Sequence, residues 1–216
     1  MPLFYHNSVK PTRYMLVSYK CLYSQFNSSG EWKYLGEYVT PRLFLHAMVR
    51  KPGSAKIILR NPYDRTVSCF KDKYRKQPTR IKESNFYWQE CHHVVFERLG
   101  VALDASDEAK TEALLAFSFK DFIQLLPEIY HLDSHFHPQH WLMQIHWKGR
   151  RFGQWPKCEI LFMEQLETIG QLPGLNLGKR INSTGHVQTD FEFDEESKAI
   201  VHQLYRKDFE LGSYPV

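Results

Sequence analysis

The fold is decided by one stretch of sequence, Lys56-Ile57-Ile58-Leu59-Arg60-Asn61-Pro62-Tyr63-Asp64-Arg65-Thr66-Val67-Ser68. It begins with a short continuous apolar run, which is typical of a strand covered on both faces. Pro62 suits the first position of a helix, and Asn61 is a plausible cap for that helix. The apolar residues that follow recur every three or four positions and therefore share one helix face: Tyr63, Val67, Phe70 and Tyr74. The stretch predicts a buried strand that turns directly into a helix.

Two other continuous apolar runs, at residues 14–18 and 159–163, also predict buried strands. Helices are predicted at 84–99, from Ser118 to near Pro127, and from Asp194 to near Gly212. Strands separated by helices indicate an α/β fold with a central parallel sheet flanked by helices. We expect residues 1–216 to form a single domain, with a helix-rich cap at about 80–157.

Length and composition favour an ordinary globular protein. The chain has 216 residues, of which 43% are hydrophobic and 24% charged, and this excludes disorder as the main state. No run reaches the roughly 18 apolar residues of a membrane span, and the first 14 residues lack the apolar core of a signal peptide. We therefore expect a soluble, cytoplasmic protein.

Charge and cysteine content narrow the function only slightly. The formal charge of +4 permits an anionic ligand but does not require one. The four cysteines are far apart and form no CxxC or Cys/His metal-binding spacing. They predict thiols in a reducing compartment, although disulfides remain possible.

Arg60 and Ser68 are the first candidates for ligand binding. Ligands of open α/β sheets bind at the carboxyl ends of the strands, where Arg60 is predicted to lie. A guanidinium group suits phosphate, and the N-terminus of the following helix favours an anion. The hydroxyl of Ser68 could meet the same anion. On these grounds alone, a plain strand–turn–helix with a surface arginine is an equally good interpretation.

The segment Arg60-Asn-Pro-Tyr-Asp-Arg65-x-x-Ser68-x-Phe70 resembles a nucleotide-binding motif of sulfotransferases, most closely the carbohydrate (glycan) sulfotransferases. These enzymes use the sulfuryl donor PAPS, 3′-phosphoadenosine 5′-phosphosulfate, and release PAP. The resemblance implies the sulfotransferase fold, which is similar to that of P-loop kinases. It also implies that Arg60 and Ser68 hold the 3′-phosphate of the nucleotide.

The loop after the first predicted strand resembles the family loop that wraps the 5′-phosphosulfate. Lys20 and Ser24 fall on the Lys and Ser/Thr positions of its Pro-Lys-x-x-x-Ser/Thr pattern. The implied contacts are Lys20, Cys21, Leu22, Tyr23, Ser24 and Gln25, with the Lys20 ammonium neutralising charge on the leaving oxygen. Tyr19 replaces the usual proline, and bulky residues stand where the family has small ones. The glycines of a nucleotide-triphosphatase P-loop are absent.

Further segments resemble the same family in the same order along the chain: Asp133–Gln139, Ile160–Leu166, Arg180–Thr184 and Tyr205–Phe209. The third segment implies that Asn182 and Ser183 lie near the nucleotide. Glu164 is interpreted as a structural turn residue outside the site.

Sulfuryl transfer requires in-line geometry and a base that accepts the proton of the acceptor hydroxyl. A sulfuryl group carries less negative charge than a phosphoryl group, so no metal is expected. His46 and His135 are the candidate bases, because related enzymes have a catalytic histidine between the two nucleotide motifs and because His135 lies in the Pro-Gln segment. His137 and His140 are expected to line the cleft, and His92 and His93 to be structural.

Several alternatives stay open. The acceptor is expected to be a glycan, but a small alcohol, a phenol or a lipid would fit the same motifs, and the oligomeric state is not indicated. The protein could also bind the nucleotide without turnover, because of the bulky first loop. A kinase would need a glycine-rich loop, and a nucleic-acid-binding module would need a recognisable motif. The sequence contains neither. The basic stretch from Lys71 to Lys82 could face an acidic glycan or be a solvated helix face.

Overall fold

A computed structural model describes residues 3–6, 13–36, 40, 41, 45, 49, 55–147, 150–155, 158–165, 169–175, 177 and 191–216. The chain divides into two compact units. The first unit comprises residues 1–61, 138–183 and 207–216, and the second comprises 62–137 and 184–206.

The first unit contains a five-stranded sheet with the strand order β3-β1-β2-β4-β7. Its strands are β1 Leu3–His6, β2 Arg13–Val17, β3 Trp32–Gly36, β4 Ala55–Leu59 and β7 Glu159–Phe162. Helix α1 covers Tyr23–Ser28, and a 3₁₀ turn covers Gln139–Met143. A separate hairpin pairs β5 Gln144–Trp147 with β6 Arg150–Gln154.

The three predicted strands are present as β2, β4 and β7, and they are parallel neighbours. The sheet as a whole is mixed, which corrects the expectation of a parallel sheet, because β1 is antiparallel to both β2 and β3. Chain length explains the difference. Only residues 7–12 connect β1 with β2, whereas a parallel crossover needs a dozen residues or more.

The continuous apolar runs arise because both faces of the sheet are covered. Leu16 and Ile57 belong to one apolar cluster, whereas Met15 and Ile58 belong to another, and all four are at most 1% exposed. Neighbouring residues of a strand point to opposite faces, so each strand contributes to both clusters. Burial of each such side chain contributes about 1.5–3 kcal/mol.

The second unit is helical. Its described elements are α2 Pro62–Phe70, a π-helical turn Lys71–Lys76, a 3₁₀ turn Gln77–Arg80, α3 Glu90–Leu99, α4 Asp107–Ala116 and α5 Phe119–Ile129. The last helix, α6 Glu195–Gly212, begins in this unit and ends at residue 212, as the sequence predicted.

Two predicted helix boundaries need correction. Helix α3 begins at Glu90, not near residue 84, and α5 continues through Pro127 to Ile129. The capping box between Ser118 and Asp121 is present and begins α5. Within the stretch 80–157 that was predicted as a cap, residues 138–157 belong to the first unit. Its role as a cap stays a prediction.

Two residues of the basic stretch that follows α2 point into the second unit and not toward solvent. The Arg75 guanidinium lies 4.4 Å from the centre of the Phe70 ring and donates hydrogen bonds to the carbonyls of Leu114 and Phe117. Lys73 is 4% exposed and donates to Gln89 at 2.6 Å. These two cations therefore serve packing, and the stretch is not a continuous basic surface.

Two further expectations concern the whole chain. None of the four cysteines is in a disulfide. Within the ranges given above, no helix combines the length and the apolarity needed to cross a bilayer.

His92 is a structural residue, as expected, and it is held in the neutral form. Its Nδ1 accepts a hydrogen bond from the Gln89 amide at 2.9 Å, and its Nε2–H donates to the Lys73 carbonyl at 3.0 Å. Burial lowers the pKa of His92 to about 4 from an ordinary value of 6.5.

We predict that acid destabilises the protein through His92. The unfolded chain takes up a proton near pH 6.5 and the folded chain only near pH 4, so stability is lost as the pH falls through this window. The loss is about 3 kcal/mol for a shift of this size. His92→Asn keeps the acceptor for the Gln89 amide but cannot titrate. Urea unfolding at several pH values should show a smaller loss for this variant than for wild type, and equal losses would contradict the prediction.

Candidate functional site

The residues that follow β2 and β4 meet at one edge of the sheet. The two strands are parallel neighbours, with Val17 opposite Ile58, so both chains leave the sheet on the same side. Arg60 follows β4, and its Nη1 donates a hydrogen bond of 3.1 Å to the carbonyl of Lys20, which follows β2. The structure therefore brings the Arg60 guanidinium to the backbone of the loop that contains Lys20, the residue that the sequence assigned to the other end of the same ligand.

The loop after β2 is a tight turn with left-handed backbone at two residues. The Cys21 amide donates to the Ser18 carbonyl at 3.1 Å, and the backbone is left-handed at Lys20 (φ 69°) and Leu22 (φ 64°). Left-handed residues within such turns orient successive amides toward one side, which creates a concave anion site. Because neither residue is glycine, each left-handed conformation costs about 1–2 kcal/mol.

The bulky residues of this loop are packed. Leu22 and Tyr23 lie against the apolar cluster that contains Met15 and Ile58, and the rings of Tyr19 and Tyr23 are 4.8 Å apart. Their side chains therefore help to hold the strained loop. Ser24 and Gln25, the remaining residues of the predicted loop, lie in the first turn of α1.

Gln139 connects the two halves of this region, a role that the sequence did not indicate. Its Oε1 accepts hydrogen bonds from the Arg60 amide at 2.9 Å and from the Cys21 thiol at 3.4 Å. Its Nε2 donates to the Arg60 carbonyl at 2.7 Å. Both backbone groups of Arg60 are thus held by one buried side chain.

Asp208 in turn holds Gln139. Its carboxylate, which is fully buried, accepts hydrogen bonds from the amides of Gln139 at 2.6 Å and His140 at 2.8 Å. It also accepts from Nδ1 of His140 at 2.7 Å, so the ring of His140 is oriented by a carboxylate. His140, expected only to line the cleft, is therefore part of a defined Asp–His pair.

His135 belongs to a second Asp–His pair, within the helical unit. Its Nδ1 lies 2.6 Å from Oδ1 of Asp133, and Arg65 donates to its carbonyl at 3.0 Å. Burial raises the pKa of Asp133, but the hydrogen bonds and charge of His135, together with the charge of Lys73, outweigh this effect and lower the pKa overall. An ionised Asp133 accepts the Nδ1 proton, which leaves Nε2 as the basic nitrogen.

Asp133 and His135 also lie near Cys91, with one potential metal-ligand atom of each residue within 4.8 Å of the others. The Asp133 carboxylate already accepts the imidazole Nδ1–H, and the Lys73 ammonium is close enough to lower its pKa. These contacts fit a hydrogen-bonded pair beside a fixed cation. His135 also borders a small pocket, together with Arg65, Thr66, Cys69 and Tyr205.

The structure says less about the other predicted site residues. Ser68 lies on α2 of the second unit and is half-buried, so its phosphate contact stays a prediction. His46, Asn182 and Ser183 lie outside the described residues.

Glu164 has the structural role that the sequence suggested. Its carboxylate accepts from the Asn61 amide at 2.7 Å and from the Tyr214 hydroxyl at 3.1 Å. It therefore ties the turn after β7 to the turn after β4. The bond to Glu164 uses the backbone amide of Asn61, so the helix cap expected from the Asn61 side chain stays a prediction.

Three residues have defined roles that the sequence did not reveal: Gln139, Asp208 and Asp133. Gln139 and Asp208 stand in segments that were noticed only for their resemblance. Their partners are 79 and 69 residues away, which no local pattern reveals. Asp133 could have been found from the sequence, because an Asp two residues before a His is a short-range signal for an oriented imidazole.

A family model described as "Sulfotransferase family" matches residues 24–215. The chain matched none of the curated proteins and none of the solved structures.

We predict that the strain at Lys20 can be measured. Lys20→Gly and Lys20→Ala both remove the ammonium group, but only glycine adopts φ 69° without cost. The glycine variant should be about 1 kcal/mol more stable than the alanine variant in urea unfolding. The same pair of substitutions at Lys198, which lies in helix α6, should give the opposite order. A more stable alanine variant at position 20 would contradict the prediction.

Proposed function

Because the chain belongs to the sulfotransferase family, whose model matches residues 24–215, we propose that it transfers a sulfuryl group from PAPS to an acceptor hydroxyl on a carbohydrate. Family membership makes the protein a transferase of sulfuryl groups. The donor, the acceptor class and the individual residues are our proposal.

The observation that carries the proposal is the contact between Arg60 and Lys20. Their side chains belong to loops 40 residues apart, yet the guanidinium of one bonds the backbone of the other. A guanidinium has five N–H donors, so Arg60 can hold the Lys20 loop and a phosphate at the same time. One anionic ligand with a phosphate at each end fits this arrangement.

In the proposed reaction, Arg60 binds the 3′-phosphate and the loop from Lys20 to Gln25 binds the 5′-phosphosulfate. When the acceptor oxygen bonds to sulfur, the bond from sulfur to the bridging oxygen breaks, and the negative charge passes to PAP. The Lys20 ammonium neutralises that charge as it develops, which lowers the barrier. Ser68 is proposed as a further phosphate ligand, on the resemblance alone.

The proton of the acceptor hydroxyl passes to a histidine in this proposal. We favour His135, because Asp133 holds its Nδ1 and leaves Nε2 basic, and because it stands in the Pro-Gln segment that resembles the family. His46 is the alternative that the sequence offers. Asn182 and Ser183 remain proposed nucleotide contacts.

A carbohydrate acceptor rests on the resemblance of several segments to glycan sulfotransferases. A small alcohol, a phenol or a lipid is the second possibility for the same chemistry. A protein that binds the nucleotide without turnover is disfavoured by the packing of Leu22 and Tyr23, since their bulk is directed into the apolar cluster.

We predict that PAP stabilises the protein and that Arg60 is needed for this effect. A ligand that binds only the folded state at 100 times its Kd adds about 2.7 kcal/mol, which raises Tm by a few degrees. Arg60→Ala should abolish most of the shift in thermal unfolding. The control is Arg98→Ala, which removes an exposed arginine from α3 and should keep the shift. No shift for wild type at millimolar PAP would contradict the proposed function.

We predict that His135→Ala keeps PAP binding and loses turnover. Removal of a general base costs about 10²–10⁴ in rate, whereas the phosphate contacts remain. Turnover is measured as transfer of labelled sulfuryl from PAPS to a panel of carbohydrates, with alcohols, phenols and lipids for comparison. His93→Ala, a half-buried position of α3, is the control, and His46→Ala tests the alternative base. Full activity of His135→Ala would exclude His135 as the base.

A further inference from the structure

The ladder between β2 and β4 ends where the proposed donor site begins. Its last recorded pair is Val17 with Ile58, and continued pairing would place Tyr19 opposite Arg60. The chain turns away instead, since the Cys21 amide closes a turn on the Ser18 carbonyl at 3.1 Å. The backbone of Arg60 therefore loses the strand partner that the register would have given it.

The side-chain amide of Gln139 takes the place of that missing partner. It accepts from the Arg60 N–H and donates to the Arg60 carbonyl, at 2.9 and 2.7 Å, as a neighbouring strand would do. Its Oε1 also accepts from the Cys21 thiol at 3.4 Å, on the side of the Lys20 loop. One side chain thus spans the opening between the end of β4 and the loop after β2.

Gln139 has little freedom to move from this position. It is 0% exposed, and its backbone amide donates a hydrogen bond of 2.6 Å to the Asp208 carboxylate. It also begins the 3₁₀ turn Gln139–Met143. A side chain held this firmly can transmit a fixed spacing to the groups that it joins.

We propose that Gln139 is a positioning residue that sets the spacing between Arg60 and the Lys20 loop, and thereby the affinity for the phosphates of the donor nucleotide. The inference rests on the proposed function, because it concerns the same ligand. It adds a residue that touches neither phosphate and acts through the backbone of Arg60 and the thiol of Cys21.

The sharpest variant is Gln139→Glu, which keeps the shape of the side chain. An ionised carboxylate accepts hydrogen bonds but cannot donate to the Arg60 carbonyl, which would then face a negative charge. A protonated carboxyl group regains one donor. The donor function of Gln139 can therefore be removed at high pH and restored at low pH in a single variant.

The readout is the Kd for PAP, measured by calorimetry at pH 8, 5 and 4 and divided by the wild-type Kd at the same pH. This ratio cancels the titration of PAP itself. The titratable and charged groups around position 139 are Asp208, His140, Arg60, Cys21 and Lys20, and the uncharged variant Gln139→Met is the reference for their effect. We expect Gln139→Glu to bind PAP about tenfold more weakly than wild type at pH 8. The ratio should return toward one as the pH falls and the new carboxyl group is protonated.

Two further variants complete the experiment. Gln124→Glu, an exposed change on α5, should leave the ratio near one at every pH. Gln139→Met keeps the volume of the side chain but removes its hydrogen-bond donor and acceptor. It should weaken PAP binding at every pH. It also tests the role of Gln139 if Gln139→Glu does not fold.

The outcomes are separable. Wild type that binds PAP, with Gln139→Met binding equally well at pH 8, overturns the role of Gln139 and leaves the proposed function intact. A loss for Gln139→Glu that stays the same from pH 8 down to pH 4, where even a carboxyl group with the ordinary pKa of about 4.3 becomes protonated, also overturns it, because a purely structural defect does not follow protonation. Failure of wild type to bind PAP overturns the proposed function and this inference together.

Discussion

Parallel pairing of β2 with β4 is the constraint on which the proposed site depends. Two parallel neighbours release their chains at the same sheet edge, so residues far apart in sequence meet there. Arg60 and Lys20 meet in this way, through a guanidinium-to-carbonyl hydrogen bond of 3.1 Å. An antiparallel arrangement of the same two strands would place the residues that follow them at opposite edges. The buried apolar runs that enforce the pairing thus also determine where Arg60 and the backbone of Lys20 lie.

The loop at this edge is strained, and packing offsets the strain. Left-handed backbone at Lys20 and Leu22 costs about 1–2 kcal/mol for each residue. Burial of a side chain such as Phe26, which is 0% exposed on α1, contributes about 1.5–3 kcal/mol, and Leu22 and Tyr23 add partial burial. The two effects are of similar size, so side-chain packing can hold a conformation that glycine would adopt without cost. This explains how bulky residues can occupy a loop with left-handed backbone.

Local patterns in the sequence predicted the strands and helix starts that are determined by consecutive residues. Continuous apolar runs gave β2, β4 and β7, and a capping box gave the start of α5. The antiparallel edge was missed, because β1 spans only Leu3–His6 and carries no distinctive pattern. At the site, residue type and position at a strand end suggested Arg60, and resemblance to the family's motifs favoured Arg60 and indicated Lys20. Gln139 was not indicated, because its role is set by a partner 79 residues away and not by its neighbours in sequence.

Anion recognition at the proposed site therefore depends on where a few cations are placed and not on how many there are. The formal charge is only +4, and the densest basic stretch directs Lys73 and Arg75 into the helical unit, where they bond carbonyl and amide oxygens. Such cations add little to an extended basic surface, which argues against the nucleic-acid-binding alternative. Arg60, in contrast, stands at a strand end with its backbone clamped by Gln139 and its guanidinium against the Lys20 loop. A cation fixed in this manner loses little conformational freedom when it binds a phosphate, and so more of the attraction appears as affinity.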